Sequence, residues 1–201
     1  MPDPTRALIV IDVQRDFCPG GALEVPHGDE VVPVCNRLMA EFQHVVLTQD
    51  WHPEGHASFA SSHPGRAPYE TIELPYGSQV LWPDHCVVGS PGAEFHPELE
   101  IARATRIVQK GTHPEIDSYS AFFDNDQTTS TGLAEALRGL GVEHVVLAGL
   151  ATDFCVLYTA MDARSAGFAV TVIEDGVRGI DLEGSVAAAW NEMMEAGVQR
   201  S

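Results

Sequence analysis

The run Ala7-Leu8-Ile9-Val10-Ile11-Asp12-Val13 decides the fold class of this sequence. All of its residues except Asp12 are aliphatic, without the alternation of a strand that exposes one face to water. It therefore predicts a strand buried on both faces of a sheet. Similar runs recur at residues 45–48, 106–109, 142–148 and 169–173. Strands of this kind are typical of a mainly parallel sheet.

Apolar residues at three- to four-residue spacing lie between these runs, which indicates helices. The predicted helices span residues 31–42, 133–140, 153–166 and 182–196. Strands that alternate with helices predict the α/β class, and we expect a three-layer α/β/α arrangement around the mainly parallel sheet. At 201 residues the chain has the length of one compact domain, and we expect residues 1–201 to form it.

Composition restricts the possible partners and the compartment. Eleven basic residues stand against 29 acidic ones, a formal charge of −18 that repels phosphate backbones and anionic membranes. We therefore expect no nucleic-acid and no membrane partner. The N-terminus lacks the pattern of a signal peptide, and the run at 7–13 is too short to span a bilayer. These features predict a cytoplasmic protein whose four cysteines are free thiols.

Two long polar segments interrupt the alternation of strands and helices. Residues 50–104, rich in proline and histidine, follow the predicted strand at 45–48, and residues 111–130 follow the one at 106–109. Long loops inside a compact domain are usually functional, and parallel sheets bind ligands beyond the carboxyl ends of their strands. The sequence thus predicts a site at that edge.

Asp12 and Lys110 stand at predicted strand ends and carry groups suited to catalysis. Burial beside apolar neighbours would raise the pKa of Asp12 and make it a general base, although turn and cap aspartates also occupy such positions. Lys110 is the only lysine beside ten arginines. An ammonium with an adjustable pKa has chemical uses that a guanidinium lacks, although a surface lysine also fits this position.

Cys155 lies where the segment 149–155 leads from a strand into a helix, with Thr152 as the expected N-cap. In a first helical turn, the helix dipole and free amides favour a thiolate and can hold an oxyanion. The alternative, a small buried apolar residue, fits Cys35 better. If Asp12, Lys110 and Cys155 meet at one edge, base, cation and nucleophile predict amide or ester hydrolysis through a thioester.

A second group of polar residues points to a metal. Asp50, His52 and His56 follow one strand within seven residues, and His85 comes later in the same long segment. Carboxylate and imidazole ligands suit Zn²⁺, Fe²⁺ or Mn²⁺, although a hydrogen-bonded structural cluster is the alternative. Among the remaining cysteines, Cys18 has no assigned role, and Cys86 is a lesser ligand candidate because it adjoins His85.

Taken together, the motifs resemble those of a known family over almost the whole chain. They are Ile11 to Phe17 with Pro19-Gly20-Gly21, Asp50 to His56, Trp82 to Val87, Lys110-Gly111, Asp117 to Phe122, and Gly149 to Val156. The sequence closely resembles the bacterial nicotinamidases, also called pyrazinamidases, of the isochorismatase-like cysteine hydrolase superfamily. The resemblance implies the isochorismatase-like α/β fold and hydrolysis of nicotinamide to nicotinate and ammonia.

The resemblance also implies roles for individual residues. Cys155 would be the nucleophile, Asp12 the general acid and base, and Lys110 the activating cation. One divalent ion, foremost zinc with iron or manganese as alternatives, would be held by Asp50, His52 and His85, with His56 ranked lower. The Leu150–Ala151 peptide would be cis, and the amides of Ala151 and Cys155 would form an oxyanion hole. The expected substrate contacts are Phe17, Trp82, Tyr119, Leu150 and Ala151.

Two other functions stay open from the sequence. One is a metal-independent hydrolase of the same superfamily that acts on a carbamoyl or ureido compound, which the predicted metal loop disfavours. The other is a catalytically silent metal-binding or redox-sensing protein that uses Cys155 and Cys86. The expected partner is the small molecule nicotinamide, and a homo-oligomer is compatible with the sequence.

Overall fold

The computed structural model describes residues 2–201, which contain a parallel sheet and a separate hairpin. The strands within this range are β1 (Arg6–Ile11), β2 (His44–Asp50), β3 (Thr71–Leu74), β4 (Gly77–Val80), β5 (Arg106–Lys110), β6 (His144–Leu150), β7 (Ala169–Arg178) and β8 (Gln199–Arg200). Six of them pair in the order β5-β2-β1-β6-β7-β8, and each neighbouring pair is parallel. The predicted α/β class and parallel sheet are confirmed.

The hairpin β3–β4 and the edge strand β8 are the strands that the sequence did not predict. The hairpin strands have four residues each and pair with one another antiparallel, and β8 has two residues. None of the three contains an aliphatic run, because none is buried on both faces. They therefore lack the signal that identified the five central strands.

The helices lie close to their predicted positions. Within residues 2–201 they are α1 (Val31–Met39), α2 (Leu133–Gly139), α3 (Leu157–Ser165) and α4 (Ser185–Glu195). Because crossovers between parallel strands are right-handed, the connection from β1 to β2 and those from β6 through β7 to β8 place α1 on one face and α3 and α4 on the other. No helix in the described part of the chain has both the length and the apolar character needed to cross a membrane.

The start of the predicted helix 153–166 differs from the expectation. A π-helical turn, Thr152–Val156, precedes α3, and Ala151 rather than Thr152 occupies the N-cap position. No side chain caps this end of the helix. Turns of this kind are rare and occur often at functional sites, because the widened backbone changes the direction of a side chain. Cys155 lies within this turn.

The central strands supply the core and define where a site can form. Ala7, Leu8, Ile9, Val10 and Ile11 are each at most 1% exposed. They pack between β2 and β6, with helices on both faces of the sheet. The chain order reverses direction at β1 and β6, which makes their carboxyl ends the switch point where ligands bind in such sheets.

A glycine at this switch point is required by close backbone contact. Gly149 has φ +119°, and a Cβ on it would collide with the Ile11 main chain. We expect Gly149→Ala to lower the free energy of unfolding by on the order of 3 kcal/mol, measured by urea denaturation. Gly139→Ala is the matched control, because nothing lies within 4 Å of its Cβ position and alanine favours the helix by about 1 kcal/mol. Equal stability of the Gly149 variant and wild type would contradict this reading.

Candidate active site

The carboxyl ends of four neighbouring strands bring the candidate residues to one edge of the sheet. Asp12 follows β1, and Cys155 follows β6. Asp50 ends β2 and pairs directly across the ladder with Lys110, the last residue of β5. Each of these four side chains is buried, none more than 6% exposed. The sheet register alone thus converts positions far apart in sequence into one cluster.

Lys110 is the centre of this cluster. Its Nζ lies 2.9 Å from Asp12 Oδ2 and 2.5 Å from Asp50 Oδ1. It also donates to the Ser118 carbonyl at 2.9 Å and lies 3.5 Å from Cys155 Sγ. The predicted meeting of base, cation and thiol is therefore present in the structure, with the ammonium in contact with both of the others.

Asp12 is held in an uncommon conformation by its neighbour on β2. Its φ is +48°, in the left-handed region that few residues other than glycine adopt. Thr48 Oγ1 accepts the Asp12 amide at 3.1 Å and donates to Asp12 Oδ1 at 2.6 Å. The other oxygen, Oδ2, is buried and lies 2.9 Å from the Lys110 ammonium. Ligand atoms of Asp12, Asp50 and Cys155 all lie within 4.8 Å of one another, so the carboxyl group of Asp12 reaches the neighbourhood of the thiol.

Burial sets the resting protonation of the thiol and of the base. Burial raises the pKa of Cys155 well above its ordinary value, and although Lys110 opposes this, Asp12 and Asp50 add to it. Burial likewise raises the pKa of Asp12 against the effect of Lys110. The burial of Cys155 thus works against the thiolate that the helix terminus is expected to favour, and a base near the sulfur would be needed to form it.

Burial alone would lower the pKa of Lys110, but Asp12 and Asp50 outweigh it and hold this pKa well above its usual value. The reverse applies to Asp50, where burial would raise the pKa but Lys110 and His52 keep it well below its usual range. Lys110 is therefore a permanent ammonium and Asp50 a permanent carboxylate near neutral pH. Neither exchanges protons during a reaction at that pH.

Asp50, His52 and His85 present a set of donors that fits a divalent metal ion. Their ligand atoms all lie within 4.8 Å of one another. His52 Nδ1 donates to the Gly111 carbonyl at 3.0 Å and His85 Nδ1 to the Pro83 carbonyl at 2.8 Å, so both rings turn Nε2 toward Asp50. Such carbonyl contacts fix the tautomer that a metal ligand needs.

The distances at this set of donors also favour a cation. Asp50 Oδ2 lies 3.6 Å from His52 Nε2 and 3.8 Å from His85 Nε2, which is too long for hydrogen bonds. Two donors bound to the same ion at about 2.1 Å lie about 3.4 Å apart in a tetrahedral arrangement. The three side chains therefore have the type, tautomer and spacing that zinc or a related ion takes.

His56 does not join this set. Its Nδ1 is 2.8 Å from Ser58 Oγ, and its Nε2 donates to the His113 carbonyl at 2.9 Å. Its ring instead lies against the ring of His52, with centroids 4.4 Å apart. Cys86 is buried and lies outside the donor sets that the described residues form. His56 instead belongs, with His52 and Asp117, to a second set of donors whose ligand atoms also lie within 4.8 Å of one another.

Asp117 is a site residue that sequence reasoning did not single out. It is 2% exposed, and its Oδ1 lies 4.0 Å from His52 Nε2. It also lines the cavity that leads to the Cys155 thiol. Ser118 N–H and Gln79 Nε2 each donate to it at 2.8 Å, but within residues 2–201 no ammonium or guanidinium contacts it. Asp50 and Asp117 thus place two carboxylates within 4.0 Å of His52 Nε2, which favours a cation at this position.

A narrow cavity leads to Cys155 between aromatic walls. Trp82 and Phe154 meet edge to face with centroids 4.8 Å apart, and Tyr119 lies 5.6 Å from Phe154. The lining residues are Phe17, Leu23, Asp50, Trp82, His85, Asp117, Tyr119, Ala151, Phe154, Cys155 and Ile180. The expected Phe17, Trp82, Tyr119 and Ala151 are among them. Such walls offer aromatic faces and edges for contact with a flat ring.

Leu23, Phe154 and Ile180 are wall residues that the sequence did not reveal, since a buried apolar residue looks the same in a core and in a cavity. Leu150 is the opposite case. The structure does not place it among the lining residues, because its buried side chain lies toward Gly28. The expectation that Leu150 contacts substrate is therefore not supported by its position. The Leu150–Ala151 peptide is cis, as the resemblance implies.

Comparison with known proteins finds relatives that match almost the whole chain. The family model for the Isochorismatase domain matches residues 6–200. A nicotinamidase of Acinetobacter baylyi is 53% identical over 194 residues, covering 96% of this chain and 91% of that protein. A nicotinamidase of Escherichia coli is 46% identical over 199 residues, covering 96% and 93%.

Solved structures match the fold equally broadly. A nicotinamidase/pyrazinamidase of Acinetobacter baumanii has a TM-score of 0.98 and 54% identity, covering 100% of this chain and 97% of that one. An L. infantum protein in complex with nicotinate has a TM-score of 0.87 and 39% identity, covering 100% and 94%. A Pyrococcus horikoshii pyrazinamidase in complex with zinc has a TM-score of 0.80 and 40% identity, covering 98% and 99%.

The position of Asp117 beside His52 predicts that its charge strengthens cation binding. We expect Asp117→Asn to weaken zinc binding about tenfold or more, because an isosteric amide removes a buried negative charge beside the donor set. The dissociation constant is measured by competition with a chromophoric chelator at fixed pH and salt. Glu115→Gln is the control, because it removes a charge from an exposed position two residues away. An unchanged constant in the Asp117 variant would contradict the charge argument.

Proposed function

The chain belongs to the isochorismatase family, and from that premise we propose that it is a nicotinamidase. In this proposal it is an amidohydrolase that converts nicotinamide to nicotinate and ammonia, and pyrazinamide to pyrazinoate by the same chemistry. Nicotinamidases of 53% and 46% identity, each aligned over 96% of this chain, support the substrate. The relative crystallised with nicotinate supports a pyridine carboxyl compound as the ligand class.

One observation carries the proposal: the Cys155 thiol shares a narrow aromatic cavity with two divalent-metal donors, while the Lys110 ammonium lies 3.5 Å from the sulfur and 2.9 Å from Asp12 Oδ2. Cys155, Asp50 and His85 all line that cavity between Trp82 and Tyr119. A nucleophile alone would suit many amides. The aromatic walls select a flat ring, and the metal donors select a ring with a lone pair of its own.

Asp50, His52 and His85 would hold the ion, for which the zinc complex of the P. horikoshii relative is a precedent. When bound, a divalent ion would supply a Lewis-acid site for the ring nitrogen and so fix the orientation of the ring. Zinc is the foremost candidate, and iron and manganese suit the same donors. His56 would support the rings of the ligands from outside the donor set.

In the first half-reaction, Asp12 Oδ2 accepts the thiol proton as Cys155 Sγ attacks the carboxamide carbon. The Lys110 ammonium, 3.5 Å from the sulfur, stabilises the thiolate as it forms. The carbonyl oxygen becomes an oxyanion that the amides of Ala151 and Cys155 would hold. Asp12 then returns its proton to the amide nitrogen, the carbon–nitrogen bond breaks, and ammonia leaves behind a thioester.

In the second half-reaction, Asp12 removes a proton from water, and the resulting hydroxide attacks the thioester carbon. Collapse of this second tetrahedral oxyanion breaks the carbon–sulfur bond, and the proton on Asp12 restores the thiol. Lys110 keeps its charge throughout, because Asp12 and Asp50 hold its pKa well above the usual value. One carboxyl group thus serves as base and acid in alternation.

The nucleophile is tested by substitution of Cys155. We expect Cys155→Ala to lower ammonia release from nicotinamide by at least about a thousandfold while nicotinate binding persists, because only the bond-forming atom is lost. Cys35→Ala, a buried cysteine on α1, is the matched control and should stay active. Substantial turnover by the Cys155 variant would exclude a thioester. An inactive wild type with full metal content would redirect the search to carbamoyl and ureido substrates.

The metal is tested by its removal. Prolonged dialysis against a chelator should remove most activity, because the substrate ring loses its orientation, and added zinc, iron or manganese should restore it. The metal content of each sample is measured by mass spectrometry alongside ammonia release. Full activity in a sample verified to be free of metal would refute the role given to Asp50, His52 and His85.

A further inference from the structure

The hairpin β3–β4 contains one side chain whose burial and contacts are unlike those of its neighbours. Gln79 is 1% exposed, whereas the residues beside it, Ser78 and Val80, are exposed and half-buried. The hairpin lies outside the central sheet, and a core of its own would call for an apolar residue here. A fully buried amide on a peripheral hairpin needs partners that explain it.

The Gln79 amide finds those partners in the wall of the catalytic cavity. Its Nε2 lies 2.9 Å from Tyr119 Oη, 2.8 Å from Asp117 Oδ2 and 2.7 Å from the Val80 carbonyl oxygen. Its Oε1 accepts from Tyr76 Oη at 3.1 Å and from Asn125 Nδ2 at 3.2 Å. The amide thus connects the hairpin to two cavity-lining residues and to the loop that follows them.

The same loop is tied back to the wall by Asn125. Its Oδ1 accepts the Tyr119 N–H at 3.0 Å, while its own N–H donates to the Asp117 carbonyl at 2.7 Å. Trp82 Nε1 donates to Tyr119 Oη at 3.1 Å. Tyr119 is therefore fixed at its main chain through Asn125, and at its hydroxyl through Gln79 and Trp82. Buried networks of this kind fix one geometry when every member is satisfied.

Tyr119 needs these hydrogen bonds because its side chain separates two open spaces. Its inner side lines the catalytic cavity, and its outer side lines a surface cleft of about 370 Å³ beside Asn125 and Tyr158. The Tyr158 ring, 5.1 Å away and tilted by 50°, is 41% exposed. Close packing therefore does not hold Tyr119 from behind in the way that it holds a core ring.

From this arrangement we infer that Gln79 is a positioning residue that sets the affinity for the aromatic substrate by holding the Tyr119 wall in place. The inference rests on the proposed function. Tyr119 contacts the substrate ring in the ground state and in the transition state, so it contributes equally to the binding of both. Losing it raises KM and leaves kcat nearly unchanged, since an interaction common to ground and transition state does not alter the chemical step.

The test compares Gln79→Leu, Tyr119→Phe and the double variant with wild type, using nicotinamide at saturating zinc so that any effect through Asp117 on the metal is suppressed. We expect Gln79→Leu and Tyr119→Phe each to raise KM about five- to tenfold with kcat within about threefold of wild type. The double variant should raise KM by less than the product of the two single increases, because the Gln79–Tyr119 hydrogen bond is lost in both single variants. Ser78→Ala, on the same strand, should leave both constants unchanged.

Several outcomes overturn the inference. A KM within twofold of wild type for Gln79→Leu does so, as does a double variant whose KM increase is the product of the two single increases. If Gln79→Leu does not fold, as judged by its melting temperature, Tyr119→Phe tests the same hydrogen bond from its other end, and an unchanged KM there is decisive. A wild type that releases no ammonia from nicotinamide overturns the proposed function as well, whereas an active wild type with unaffected variants overturns this inference alone.

Discussion

The site depends on one buried ammonium. Lys110 is 1% exposed, and moving an isolated ammonium from water into a protein interior costs several kcal/mol unless opposite charges accompany it. Asp12 and Asp50 provide those charges, and the Ser118 carbonyl accepts a third contact. Each partner comes from a different segment, so the ammonium ties together the ends of β1 and β2 and the loop after β5. A neutral side chain at this position would leave two buried carboxylates facing each other.

Much of the fold could be read from the sequence because the five central strands are buried on both faces. An aliphatic run such as residues 7–13 favours a buried strand, and the helical patterns between the runs complete the α/β pattern. The hairpin and β8 were not predicted, because short, partly exposed strands lack a continuous aliphatic run. The π-helical turn at Thr152–Val156 was not predicted for another reason. It depends on the path of the backbone after β6, and no residue type is specific to such a path.

The site was only partly predictable. Side chains with distinctive chemistry, such as Lys110, Cys155 and the histidines near Asp50, stand out in a chain that has little else of their kind. Asp117 and Gln79 do not, since a chain with 29 acidic residues offers no reason to select one carboxylate, and a glutamine is conspicuous only once its burial is known. Leu150 shows the converse limit. Its neighbour Ala151 lines the cavity, but the side chain of Leu150 lies toward Gly28.

Asp50 connects the two halves of the site, because its two oxygens face different partners. Oδ1 contacts the Lys110 ammonium, while Oδ2 faces the Nε2 atoms of His52 and His85. Its negative charge raises the pKa of both Cys155 and Asp12. A cation among these donors offsets that charge, so the field at the thiol becomes more positive without any change in the contacts of Lys110. In the proposed function, binding of the ion and activation of the sulfur would therefore be coupled through a single carboxylate.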